Sequence, residues 1–240
     1  MPVRPDHAVT ATDSGGLDAR VHDWSIAQRE YERMEARRGR RHAYTHLDPA
    51  RTALVVIDVM PFFVDEPDLP HCRGVLPQIV ALAEALRAAG GTTAWVVSPG
   101  TGTPPTPAAV EFFGQRVADL YAASGGGGSP RERLWPGFDV HPEDLVVEKT
   151  AASAFFPDRC DLPQLLEDRD IDTVVITGMV TNVCCESSAR DAATLGYRVV
   201  FVADANAAVD DTAQNATLTT VYRTFGDVRT TADVLEMVCG

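Results

Sequence analysis

The patterning of the chain predicts an α/β fold in three layers, α/β/α, with a six-stranded parallel sheet of Rossmann-like topology. Two observations carry the prediction. Short apolar runs without polar alternation, such as ALVVI at 53–57 and TVVIT at 173–177, recur along the chain. Such runs read as strands buried on both faces. Between them lie stretches of helical periodicity, and strands alternating with helices build parallel sheets covered on both sides. A length of 240 residues, 45% of them hydrophobic, suits one such domain with an added arm. The division expected is an arm with a helix over 1–48 and the α/β domain over 49–240.

Residues 1–20, rich in Ser, Thr, Gly and Asp, read as poorly ordered. A helix is expected over 23–39, with Trp24, Ile26, Tyr31 and Met34 loosely periodic. Ala53–Ile57 is the first strand, ending at Asp58. Gln78–Ala89 is a helix with Ile79, Leu82, Ala83 and Leu86 on one face, closed by Gly90 and Gly91. Thr92–Val97 is the second strand and Leu145–Val147 the third, ending at Glu148 and Lys149. Pro163–Asp168 is a short helix, Thr173–Thr177 the fourth strand, and Cys184–Leu195 a helix ended by Gly196. Arg198–Val202 is the fifth strand, ending before Asp204. A helix over Thr212–Thr224 and a last strand over Asp227–Thr230 complete the pattern. Residues 99–144 are the least regular, with a helix near 108–122 and a GGGGS run at 125–129. A glycine run inside a compact domain is either a lid or a tolerated insertion.

Composition excludes several functions. A net charge of −13 lacks the basic footprint of nucleic-acid binding. The arginine-rich stretch from Arg29 to Arg41 is interleaved with Glu and reads as a solvated or subunit-contacting helix. No stretch approaches the roughly 18 apolar residues of a membrane span, and the N-terminus lacks an apolar signal core, so a cytoplasmic protein is expected. Five cysteines without zinc-type spacing fit a reduced chain. Gly100-Thr101-Gly102 runs into Thr-Pro-Pro rather than a dinucleotide-binding turn.

One count points to chemistry. Of 21 cationic side chains, Lys149 is the only lysine. In open α/β sheets ligands bind beyond the carboxyl ends of the strands. Asp58, Lys149 and Cys184 follow the first, third and fourth strands and so share that edge. An acid, an ammonium and a thiol converging there form a nucleophilic constellation. A compact ammonium fits between a carboxylate and a sulfur where a guanidinium fork does not. Cys184 at a helix N-terminus is expected to have a lowered pKa. Cys185, one residue on, reads as a small buried hydrophobe.

Three motifs carry a resemblance: ALVVIDVMPFF at 53–63, VVEKTAASAFF at 146–156 and VVITGMVTNVCCESSARDA at 174–192. They resemble the isochorismatase-like cysteine hydrolases, which include nicotinamidases, N-carbamoylsarcosine amidases and ureidoacrylate hydrolases. The resemblance runs from about residue 51 to 235. It implies Asp58 as general base, Lys149 as triad lysine and Cys184 as nucleophile. It also implies a cis peptide between Met179 and Val180, with the Val180 and Cys184 amides facing an oxyanion. Phe62, Phe63, Trp95, Trp135 and Phe155 are candidate pocket walls, with Thr181 and Asn182 beside the nucleophile. For Trp95 and Phe156 ordinary core packing fits equally.

The chain departs from the family in two respects. The common D-M-Q-N-D-F becomes Asp58-Val59-Met60-Pro61-Phe62-Phe63, a more apolar mouth. The metal set of nicotinamidases, an Asp-x-His pair with a further His downstream, is missing, and His71, with no third ligand in view, reads as a surface or loop histidine. No metal or cofactor is expected, and nicotinamide is disfavoured as substrate. Isochorismatases proper resemble the chain near KTAASAF but lack the cysteine. The reading is therefore a cysteine amidohydrolase cleaving an amide, ureido or lactam bond of a small molecule through a thioester, as a homodimer or homotetramer. The alternatives are a vinyl-ether hydrolase of isochorismatase type and a non-catalytic scaffold.

Overall fold

The computed structural model describes residues 18–66 and 68–239, with only the backbone of Cys239. The expectation for residues 1–17 lies outside the described residues. Six strands form one sheet: β1 (Thr52–Ile57), β2 (Thr92–Val97), β3 (Leu145–Glu148), β4 (Thr173–Met179), β5 (Arg198–Ala207) and β6 (Asp227–Arg229). Their spatial order is β3-β2-β1-β4-β5-β6, and every neighbouring pair is parallel. The chain leaves β1 outward to β2 and β3, then returns to the other side of β1 for β4. The crevice at the carboxyl ends of β1 and β4 is the switch point at which such sheets bind ligands.

The helices are α1 (Gln28–Arg38), α2 (Pro61–Val64), α3 (Pro70–Gly74), α4 (Leu76–Ala88), α5 (Pro107–Phe113), α6 (Gln115–Ala123), α7 (Leu162–Glu167), α8 (Glu186–Thr194), α9 (Asp211–Thr224) and α10 (Thr231–Cys239). All six residues of β1 are buried, as an uninterrupted apolar run requires. Ala53, Val55 and Ile57 join Leu162, Ala189, Leu218 and Ile26 in one core, so α1, α7, α8 and α9 cover that face. Leu54 and Val56 join Ile79, Leu82, Cys72 and Val234 in the other, under α3, α4 and α10. Each aliphatic side chain buried this way contributes about 1.5–3 kcal/mol. Among the described residues no helix is long and apolar enough to cross a membrane.

Several elements differ from the sequence reading, each for a local reason. The arm helix begins at Gln28 because Ala27 is extended, with ψ 135°, and it ends where Gly39 turns left-handed and bonds the Glu35 carbonyl at 2.8 Å. The helix expected near 108–122 is broken into α5 and α6 by Gly114, at φ 78° and ψ 152°. Strand β5 runs on past Asp204 to Ala207. The Asn206 amide donates to the carbonyls of Ile176 and Val202 at 2.8 and 2.7 Å, across an irregular register with β4. The helix read as starting at Cys184 is preceded by a wider π-type turn, Thr181–Cys185, and α8 starts at Glu186. Helix α10, docked on α4, was not expected. The glycine run is pinned: a Cβ on Gly125 would meet the Pro99 carbonyl oxygen at 1.8 Å, and Gly126 accepts from Thr101 N–H at 2.8 Å.

Candidate active site

Asp58, Ser98 and Lys149 are each the first residue beyond a strand, β1, β2 and β3 respectively. The backbone fixes two of them to β2. Asp58 N–H donates to the Val96 carbonyl at 2.8 Å, and Lys149 N–H to the Val97 carbonyl at 2.9 Å. Asp58 adopts φ 53°, unusual for a residue with a Cβ. β4 approaches the same point closely: a Cβ on Gly178 would lie 2.1 Å from the Ile57 carbonyl oxygen, so only glycine fits. Beyond β4 the Met179–Val180 peptide is cis, and the π-type turn carries Cys184 back toward the sheet.

These side chains converge. Lys149 Nζ lies 2.8 Å from Asp58 Oδ2, with both side chains almost wholly buried. Its other contacts are Cys184 Sγ at 3.5 Å and the Ala151 carbonyl at 3.2 Å. The ammonium thus has three partners for its three donors. Burial works against the charge on Lys149, but Asp58 and Cys184 outweigh it and hold the ammonium above the usual lysine range.

The sulfur corrects an expectation. Burial, then the neighbouring Asp58 charge, push the Cys184 thiol up to about 12, against the opposing pull of Lys149. The helix N-terminus on which a lowered pKa was expected begins two residues on, at Glu186, and burial outweighs it. Cys184 is therefore a thiol at neutral pH, beside a carboxylate. Cys185 is fully buried, and burial raises its thiol also.

The aromatic expectations divide. Trp95 is a core residue: its indole N–H donates to buried Asp144 at 2.9 Å and its ring packs on Phe138. Phe155 is also core, on the opposite face, edge-on to Tyr197. Neither is free to line a pocket, because each ring is enclosed on all sides. Phe156, for which core packing fitted as well as a pocket wall, is 51% exposed. Phe62 borders a cavity of about 320 Å³ with Met60, Gly126 and Arg133. Phe63 sits edge-on to Phe62 and, like Trp135, packs partly on the core under α4. Thr181 is wholly buried and Asn182 exposed. A second cavity of about 280 Å³ opens beside Pro99 and Thr150, lined by Phe113 and Tyr121 of α5 and α6. A larger open groove of about 660 Å³ lies by Arg51 and Asp172, at the amino ends of β1 and β4, away from the converging side chains.

Two residues of this edge escaped the sequence reading. Ser98 Oγ donates to Asp58 Oδ1 at 2.9 Å, and buried Arg133 Nη1 donates to the Ser98 carbonyl at 2.7 Å. Ser98 carried a legible signal, as the first polar residue past its strand on the edge already selected. Arg133, distant in sequence, carried none.

Among the described residues one group of side chains could converge on a metal: His22, His71 and Asp211, with ligand atoms within 4.8 Å of one another. His71 is thus not a loop histidine; it lies on α3 with its ring stacked on His22 at 3.7 Å. The geometry is nevertheless that of a hydrogen-bonded clip. His22 Nε2 accepts from Ala208 N–H at 3.0 Å, which puts the ring proton on Nδ1, facing Asp211 Oδ1 at 2.6 Å. A metal at Nδ1 would move that proton to Nε2, against the Ala208 N–H.

Comparison with known proteins agrees with this architecture. A family model described as the isochorismatase domain matches residues 52–233. The chain is 32% identical over 200 residues to the isochorismatase family protein YwoC of Bacillus subtilis (strain 168), covering 80% of this chain and 97% of that protein. It is 31% identical over 228 residues to the ureidoacrylate amidohydrolase RutB of Rhizobium rhizogenes, covering 80% and 85%. A crystal structure of a cysteine hydrolase from Pseudomonas syringae pv. phaseolicola superposes with a TM-score of 0.72 at 28% identity, covering 82% of this chain and 96% of that one.

Proposed function

The chain belongs to the isochorismatase family of hydrolases, and on that premise we propose that it is a cysteine amidohydrolase cleaving a C–N bond of a small ureide or amide. The observation that carries this reading is the buried contact of Asp58 with Lys149 and of Lys149 with Cys184. A thiol held near 12 needs a base at the moment of attack, and Asp58 is the carboxylate beside it. The similarity to a ureidoacrylate amidohydrolase favours a ureido or amide carbonyl over a vinyl ether.

The proposed reaction runs in two halves. Asp58 takes the Cys184 proton as Sγ bonds to the carbonyl carbon. The carbonyl π pair moves to oxygen, where the Val180 and Cys184 amides stabilise the oxyanion. Loss of one such donor costs about 10²–10³ in rate. The oxyanion collapses to a thioester, the C–N bond breaks, and Asp58 returns its proton to the leaving nitrogen. Asp58 then takes a proton from water, whose oxygen attacks the thioester. Collapse of this second adduct breaks the C–S bond and releases the acid, or carbamate, while Asp58 returns its proton to Sγ and restores the thiol. Lys149 pairs with Asp58 between steps and adds positive charge beside the developing anions.

A panel of ureides, N-carbamoyl amino acids, primary amides and lactams, assayed for ammonia or amine release, tests this. Release by the wild type, its loss in Cys184→Ser, and an acyl adduct on Cys184 in rapidly quenched protein are expected. Full turnover by Cys184→Ser, or amide turnover surviving iodoacetamide, would sink the thioester, and vinyl-ether cleavage surviving iodoacetamide would favour a non-covalent hydrolase of isochorismatase type.

A further inference from the structure

We infer that Ser98 is a positioning residue for Asp58, its hydroxyl orienting the carboxylate that exchanges a proton with Cys184. The inference rests on the reading above, in which Asp58 is the base.

β2 acts as a rail for the site. Its last two carbonyls hold the backbones of Asp58 and Lys149, at 2.8 and 2.9 Å. The next residue, Ser98, holds the Asp58 side chain, with Oγ 2.9 Å from Oδ1. The other carboxylate oxygen, Oδ2, belongs to Lys149. An ammonium at one oxygen alone leaves the carboxylate free to turn about its Cβ–Cγ bond. A second donor at the other oxygen removes that freedom.

Ser98 is itself anchored. Its carbonyl accepts from Arg133 Nη1 at 2.7 Å, and Arg133 Nη2 donates to Glu148, the residue before Lys149. The Arg133 side chain is 1% exposed. One guanidinium therefore ties together the ends of β2 and β3, which carry the residues paired with Asp58. A hydroxyl with a purely structural role at a strand end would satisfy a backbone group; this one is spent on the buried carboxylate.

The titratable groups facing Asp58 are Lys149 from β3, Cys184 and Cys185 from the turn after β4, and Cys160 from the loop before α7. In the wild type at pH 7.5, iodoacetamide should label Cys184 with Asp58 taking the thiol proton. Ser98→Ala removes the hydrogen bond that orients the carboxylate. Labelling should slow by about tenfold. Ser98→Thr keeps the hydroxyl and should restore the wild-type rate. Ser98→Gly gives the same answer as Ser98→Ala should the latter fail to fold.

Labelling at Cys184 is read by peptide mass, so no substrate is needed. Asp58→Asn should slow labelling further still, since no base remains beside the sulfur. An unchanged rate in Asp58→Asn would overturn the base assignment itself. A rate lost in Asp58→Asn but unchanged in Ser98→Ala and Ser98→Gly would overturn the role of Ser98 alone.

Discussion

Lys149 Nζ sits 2.8 Å from Asp58 Oδ2 inside a protein whose other twenty cationic side chains are all arginine. The side chains of the pair are 3% and 1% exposed, and the ammonium also touches Cys184 and the Ala151 carbonyl. A point charge on a flexible stem reaches three partners in three directions; a planar guanidinium cannot.

Lys149→Arg keeps the charge, and activity on any substrate found should still fall by about 10²-fold, the loss typical of an ångström-scale misplacement. Lys149→Met should instead lower stability by about 3–5 kcal/mol in urea unfolding, because it strands a buried carboxylate. An Arg variant with wild-type turnover would mean that charge alone suffices here.

The Cys184 sulfur should titrate late. Its folded pKa is raised, to about 12, so thiolate is absent through neutral pH and forms only in strong alkali. Ultraviolet absorbance of wild type minus Cys184→Ser should show no thiolate between pH 7 and 9. Asp58→Asn removes a negative neighbour while Lys149 stays, and its thiol should titrate earlier. A thiolate band at pH 7 in the wild type would show that Lys149 dominates the sulfur.

Gly178→Ala should be among the most damaging small substitutions. Gly178 holds φ 117°, and an added Cβ would collide with the Ile57 carbonyl oxygen at 2.1 Å. Neither backbone can retreat, since both strands lie in the middle of the sheet. A loss on the order of 2–4 kcal/mol is expected in urea unfolding. Stability within about half a kcal/mol of wild type, the range of a neutral surface change, would show that β1 and β4 can separate.

The sheet was legible because strands buried on both faces leave continuous apolar runs, as in Thr173–Met179. The strand-end rule brought Asp58, Lys149 and Cys184 to one edge for the same reason. It could not tell an enclosed ring from a pocket wall, so Trp95 stays open between the two and Phe155 reads as a wall, where both are core. Helix breaks such as Gly114 depend on a backbone angle that composition does not record. The height of the Cys184 thiol depends on burial, which spacing along the chain does not encode. Contacts such as that of Arg133 with Ser98, 35 positions apart, leave no local trace.

The His22–Asp211 clip spans 189 positions and makes the docking of the arm sensitive to pH. Burial, the largest influence, and the stacked His71 hold His22 below its ordinary value near 6.5, although Asp211 opposes them. A histidine with a lowered folded pKa leaves stability intact above its ordinary value and erodes it as pH falls below that value. Protonation also removes the Nε2 lone pair that accepts from Ala208 N–H. Hydrogen exchange at the Ala208 amide, corrected for its intrinsic rate, should therefore show strong protection at pH 7.5 that declines between pH 6.5 and 5. His22→Phe should lose that protection at both ends of the range, because the acceptor is gone whatever the pH. Equal protection at pH 5 and 7.5 in the wild type would mean that other contacts of the arm, such as Arg20 N–H with the Pro70 carbonyl, hold it without His22.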